Sequence, residues 1–182
     1  ESHFRRELAA GLRHLWITPT LRRAAVATII FAVSIGMLEP TIYALVDRGL
    51  HRPPEFIGFL TTAQGVGAIL GGLTVTRAIR RFRELPLAGV GLAITSLGAA
   101  LIITSWLPIV LLGFALAGFG LPVMSVPLVT LMQRRTPPPM MGRVATGYEV
   151  VASVPMTASI ALGALLVGVW PFQAILAMAA VG

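Results

Sequence analysis

Two carboxylates of this chain lie inside long apolar runs, where an ionisable group is costly to bury. Glu39 falls about seven residues before the end of one run, roughly 10 Å deep at the rise of a helix, with Tyr43 one turn further on. Glu149 follows a basic turn near the beginning of another run, and Gln64 lies in a third. A carboxylate in such a place can carry a proton or bind a cation, so both are candidate functional residues.

Each of these residues also has a structural interpretation. Glu39 would then be a neutral side chain hydrogen-bonded to a neighbouring helix, and Glu149 would pair with its helix dipole or with a loop arginine. Gln64 is either a polar group of a cavity or a helix–helix hydrogen-bonding residue. The chain has no cysteine, and its three histidines are scattered outside the apolar runs. We therefore predict no metal site, no cofactor and no enzymatic activity.

The apolar runs require a membrane. The 182 residues are 56% hydrophobic and only 12% charged, and no charged residue occurs from Leu85 to Gln133. A soluble core cannot absorb such runs, whereas about 20 apolar residues cross a bilayer as a helix. This pattern excludes a soluble enzyme, a disordered chain and a nucleic-acid-binding module, in spite of a net charge of +7.

We predict an all-α membrane domain over residues 21–182, with five complete spans and a truncated sixth. The approximate spans are 24–46, 56–76, 87–106, 109–132, 144–169 and 172–182. The last is too short to cross alone, so we expect the chain to be a fragment of a longer protein. Within the second and third spans, small residues recur every fourth position and predict close helix packing. These are Ala63, Gly67 and Gly71, then Gly91, Thr95 and Ala99.

The arginines predict which side of the membrane each loop occupies. Twelve of the fourteen precede the first span or follow the second and fourth, while Arg48 and Arg52 lie in an opposite loop. By the positive-inside rule, the N-terminus is cytoplasmic. Residues 1–20 are predicted to be a cytoplasmic linker whose amphipathic helix, Phe4 to Trp16, lies on the bilayer surface or against the protein. A solvated linker helix is the alternative.

The loops after the second and fourth spans resemble two signatures of the major facilitator superfamily. The first signature reads G-x-x-x-D-R-x-G-R-R, and four of its residues match: Gly72, Arg77, Arg80 and Arg81. Thr76 replaces the aspartate and Ile79 the second glycine. The second signature, P-x-x-x-R-G-R, is similar to the segment that contains Arg135, Gly142 and Arg143, with Met141 at the first arginine position.

The resemblance covers the whole chain and implies the C-terminal six-helix half of such a transporter. Its two three-helix blocks, residues 21–106 and 107–182, would form an inverted repeat. The segment from Phe4 to Arg23 is similar to the linker of bacterial drug, macrolide and siderophore efflux members. Alternating access around a central cavity is then implied, with the Arg77 loop acting as a conformational latch on the cytoplasmic face.

The implied partners are a small-molecule substrate, protons, the lipid bilayer and an N-terminal six-helix half, with no nucleic acid. The implied location is the bacterial plasma (inner) membrane, as a multi-pass protein. An importer of the same fold and a non-transporting scaffold or assembly domain are the alternatives. A membrane-embedded enzyme would need a cluster of catalytic residues, and an ABC transporter would need a Walker-A loop. The sequence contains neither.

The topology leads to a labelling prediction. Single cysteines placed at Arg80 and Pro138 should react only with reagent added to the cytoplasmic side, and a cysteine at His51 only with reagent added outside. The chain has no native cysteine to interfere. Labelling of position 80 from outside would contradict the whole topology.

Overall fold

The computed structural model describes the backbone of residues 2–167 and the side chains of residues 7–166, and within these ranges all regular secondary structure is helical. An amphipathic helix, α1 (Ser2–Ile17), comes first. Five apolar helices follow: α2 (Pro19–Ala44), α3 (Ile57–Ala78), α4 (Glu84–Ile102), α5 (Leu107–Arg135) and α6 (Met141–Val167). Each of these five is long and apolar enough to cross a membrane, which confirms the predicted fold class. The predicted span 172–182 lies outside the described residues.

The helix boundaries follow from local backbone preferences. Thr18 is extended (φ −81°, ψ 111°) and separates α1 from α2, whose first residue is Pro19. Beyond Ala44 the chain continues as a π-helical turn, Leu45–Gly49. Helix α4 ends at Ile102, earlier than the sequence predicted, and Ser105 adopts a positive φ of 53° in the turn that follows. Prolines occur inside α2, α5 and α6 without ending them.

Helix α5 packs against α3 and comes within contact distance of its backbone. A Cβ atom at Gly67 would overlap the carbonyl oxygen of Ala115, and one at Gly71 would overlap that of Phe119. In the other direction, a Cβ at Gly118 would overlap the carbonyl oxygen of Gln64. The ridge predicted on the second span therefore has the packing role expected of it.

Helix α4 packs on another face of α5 in the same way. A Cβ at Gly91 would meet the backbone of Met124, and one at Gly98 would lie 2.6 Å from the carbonyl oxygen of Gly113. Thr95 is buried and donates its hydroxyl hydrogen to the carbonyl of Gly91 at 3.0 Å, so it needs no partner on α5. The second predicted ridge is confirmed as a helix–helix contact surface.

Helices α2 and α6 form a second close pair. Gly36 lies against Ser159, whose hydroxyl would overlap a Cβ at that position. The Thr28 and Tyr148 hydroxyls are 2.7 Å apart and hydrogen-bond across the pair. A hydrogen bond of this kind contributes roughly 0.6 kcal/mol in a membrane, so close packing supplies most of the association.

The amphipathic helix α1 lies against the protein, one of its two predicted placements. Its apolar face packs against the beginnings of α2 and α6, where Leu15, Leu21 and Val144 are buried together. Gly11 touches the backbone of α6 so closely that a Cβ would overlap the carbonyl oxygen of Arg143.

The packing follows the predicted inverted repeat. Helix α2 begins the first block and packs on α6, the second helix of the second block. Reciprocally, α5 begins the second block and packs on α3, the second helix of the first. This exchange is what two inverted, equivalent blocks require. It leaves two groups with close backbone contacts, α1–α2–α6 and α3–α4–α5, which are joined to one another by two buried apolar clusters, one around Ala44 and one around Ala24.

The glycine contacts predict a stability difference between neighbouring positions of α3. Gly67→Ala should lower the free energy of unfolding by about 1–3 kcal/mol, because the new methyl group must push α5 away. At Gly65, no atom lies within 4 Å of the position that an alanine methyl group would take. Gly65→Ala should therefore leave stability unchanged or raise it by about 0.5–1 kcal/mol through helix propensity. Unfolding in mixed micelles, followed by circular dichroism, measures the stability of both variants. An equal loss of stability in the two variants would contradict the packing.

Candidate functional site

A cavity of about 390 Å³ separates the two helix groups. It lies near the C-terminal ends of α2 and α4 and the N-terminal ends of α3 and α5, away from the arginine-rich loops. Most of its wall is apolar. The residues of the wall with polar groups are Glu39, Tyr43, Thr61, Gln64 and Thr95. Apolar residues such as Ile42, Ile102, Phe114 and Met156 complete the wall.

Glu39 is accessible and lines this cavity. No side chain of residues 7–166 forms a hydrogen bond or an ion pair with its carboxylate, so the helix-bridging alternative is not realised among them. Pro40, the next residue, has no N–H and cannot close the helical bond to the carbonyl of Gly36. The carboxylate is exposed at the cavity and has no partner among residues 7–166.

Tyr43 lies one turn beyond Glu39 and is 63% exposed. Its ring borders the cavity and also a second pocket of about 300 Å³, which Asp47, Arg48 and Arg52 line with charge. The π-helical turn Leu45–Gly49 carries two of these charges. Tyr43 thus borders both an apolar cavity and a separate charged pocket.

The cavity brings Gln64 together with Glu39, although they are on different helices. Gln64 is partly buried, and among residues 7–166 its side chain has no hydrogen bond to another helix. Thr61, which the sequence analysis missed, lies three residues earlier on the same side of α3 and also borders the cavity. Its spacing of three residues from Gln64 places both side chains on one face of a helix, and this spacing could have predicted Thr61 as a second polar residue of the site.

Glu149 is not part of this cavity. It is exposed on α6, and within residues 7–166 no arginine pairs with it. The arginine nearest in sequence, Arg143, instead donates to Glu7 of α1 at 3.0 Å. Of the two candidate carboxylates, Glu39 lines the cavity and Glu149 does not.

The predicted latch residues lie at the C-terminal end of α3 and in the turn that follows. Arg77 donates to the carbonyl oxygen of Leu73 at 3.3 Å on its own helix. Arg80 and Arg81 are exposed, and within residues 7–166 none of the three arginines contacts an acidic side chain. Gly72 has open space beside it. Arg77 thus contacts its own helix, while Arg80 and Arg81 are exposed.

Two ion pairs at the same end of the bundle were not predicted. Arg134, at the end of α5, contacts Glu84, at the beginning of α4, at 2.6 Å. The second is the pair between Glu7 and Arg143. The other residues of the second loop motif, Arg135 and Gly142, are exposed. Acidic residues are rare in this chain, and Glu7 and Glu84 each lie close to a basic segment. Their position was the feature of the sequence that could have predicted these ion pairs.

The comparisons with known proteins agree with this architecture. Residues 24–182 match the family described as Major Facilitator Superfamily. No curated protein and no solved structure matches the chain. The family match covers most of the chain, including all five membrane-spanning helices from residue 24 onward. The chain therefore belongs to the major facilitator superfamily of membrane transporters.

Proposed function

We propose that this chain is one half of a proton-driven efflux transporter for amphipathic small molecules such as drugs, macrolides or siderophores. The observation that carries the proposal is an apolar cavity between two helix groups with one unpaired carboxylate, Glu39, in its wall. The direction of transport is inferred from the similarity of the segment Phe4 to Arg23 to the linker of efflux members. No residue is assigned a catalytic role.

The cavity suits an amphipathic organic molecule. Its volume, about 390 Å³, lies within the range of 300–1,000 Å³ that is typical of small-molecule sites. An apolar wall favours a substrate with a hydrophobic body. Gln64 can donate or accept a hydrogen bond, and the Thr61 hydroxyl, which donates to the carbonyls of Ile57 and Gly58, can accept one. An N-terminal half would supply the opposite wall.

Glu39 supplies the coupling step of the proposal. An unpaired carboxylate in a cavity at membrane depth is stabilised when it takes up a proton or when a cation binds beside it. The two events exclude one another, because protonation removes the charge that holds the cation. Proton uptake from one side can therefore release a cationic substrate, and loss of the proton restores the binding site.

Alternating access would move this domain as a whole against an N-terminal half. Close glycine contacts hold α2 to α6 and α5 to α3 and α4, and buried apolar clusters join α2 to α3, α4 and α5. These contacts support movement of the domain as one body. We place the protein in a bacterial plasma membrane because its linker segment is similar to that of bacterial efflux members, and we place its N-terminus in the cytoplasm because of the arginine distribution.

The proposal predicts the effect of removing the proton site. Glu39→Gln keeps the shape of the side chain and its hydrogen-bonding capacity but cannot titrate. The variant should insert and fold normally, while efflux of cationic dyes driven by a proton gradient falls to background. Dye efflux from cells or vesicles, with and without a protonophore, measures this.

The matched control is Glu149→Gln, which removes the other intramembrane carboxylate outside the cavity and should leave transport and its pH dependence unchanged. If the Glu39→Gln variant transported every dye at the wild-type rate at every pH, the coupling role of Glu39 would be rejected. Absence of dye transport by the full-length wild-type protein would favour a scaffold, and proton-driven accumulation would favour an importer.

A second prediction concerns the latch. Arg77→Gln with Arg81→Gln should lower transport, because charge-assisted contacts of about 1–3 kcal/mol each to the opposite half would be lost. Membrane insertion should persist, since ten of the twelve predicted cytoplasmic arginines remain. Arg48→Gln with Arg52→Gln removes the same charge at the other end and controls for net charge. Unchanged transport by the latch variant would assign its arginines to topology alone.

A further inference from the structure

The corner between α1 and α2 carries both charge and exposed apolar surface. We define the α1–α2 corner as Arg13, Trp16, Ile17, Arg22 and Arg23. Trp16 is 43% exposed and Ile17 64% exposed, and all three arginines are exposed. The apolar face of α1 is already used against α6, so these side chains belong to a second, outward surface.

The charge of this corner is not neutralised by the described part of the protein. No hydrogen bond or ion pair joins the guanidinium groups of Arg13, Arg22 and Arg23 to any side chain of residues 7–166. The first turn of α2 contains no acidic residue. By contrast, Arg134 and Arg143 at the same end of the bundle each have a carboxylate partner.

The position of the corner selects the kind of anion that can reach it. Arg22 and Arg23 lie in the first turn of α2, which is the first membrane-spanning helix. Arginine at such a place extends its guanidinium group to the headgroup layer while its methylenes stay in apolar surroundings. Val26, one turn further along α2, is 41% exposed and continues the surface toward the bilayer interior.

We propose that the α1–α2 corner binds the headgroups of anionic phospholipids. The arginines contact the lipid phosphate and its extra negative charge, and the indole of Trp16 lies at the level of the headgroups with Ile17 beside it. A soluble phosphate ion would gain nothing from an exposed tryptophan and isoleucine. The inference is independent of transport and of its direction.

Quenching of Trp16 fluorescence tests the proposal. The protein, in a variant that keeps Trp16 as its single tryptophan, is placed in bilayers of phosphatidylglycerol and phosphatidylcholine at fixed mole fractions. One or the other lipid carries bromine on its acyl chains. Brominated phosphatidylglycerol should quench more strongly, with a local enrichment on the order of fivefold for each arginine that reaches a headgroup. High salt should reduce the preference.

Arg22→Gln with Arg23→Gln in the same background should remove most of the preference. Arg80→Gln with Arg81→Gln takes the same charge from another loop at the same end of the bundle and should leave it intact. Equal quenching by both lipids in the parent variant would overturn the proposal. The absence of quenching by either lipid would also overturn it. The proposal would fail as well if the preference survived Arg22→Gln with Arg23→Gln, or if both charge variants abolished the preference equally.

Discussion

Close approach of helix backbones is the constraint on which this structure depends. Lipid tails are as apolar as leucine, so hydrophobic burial does not hold helices together in a bilayer, and packing must do so. Glycine allows α5 to touch both α3 and α4, through Gly67, Gly118 and Gly98 among others. Gly36 allows the same between α2 and α6. Large apolar side chains such as Phe59, Ile69 and Leu73 are exposed on the bundle, where lipid tails would surround them.

The cavity is a consequence of how these contacts are distributed. Glycine contacts hold each helix group together, whereas larger apolar side chains join α2 to α3, α4 and α5. The cavity lies beside these larger side chains, and Ile102 and Phe114 belong both to its wall and to the buried cluster. Glu39 can occupy that space without a protein partner because the cavity gives it access to water, ions or substrate. The same carboxylate in a glycine-lined contact would be buried without compensation.

The arginines at one end of the bundle serve more than topology. Arg134 and Arg143 tie helix ends together through Glu84 and Glu7, and such exposed pairs contribute up to about 1 kcal/mol. Arg77, Arg81 and the arginines of the α1–α2 corner contact no acid among residues 7–166. Their charge is available to whatever lies beyond this half, either another part of the transporter or the membrane surface.

The sequence by itself determined the all-α membrane fold, the packing ridges at Gly67 and Gly91, and the positions of Glu39 and Glu149 on apolar helices, because apolar run length and helical spacing are local properties. Only the tertiary structure decided that Glu39 lines a cavity and Glu149 does not. It also decided that Glu7 pairs with Arg143, 136 residues away. Helical periodicity states which side chains share a face, but the neighbour of that face depends on how distant helices pack.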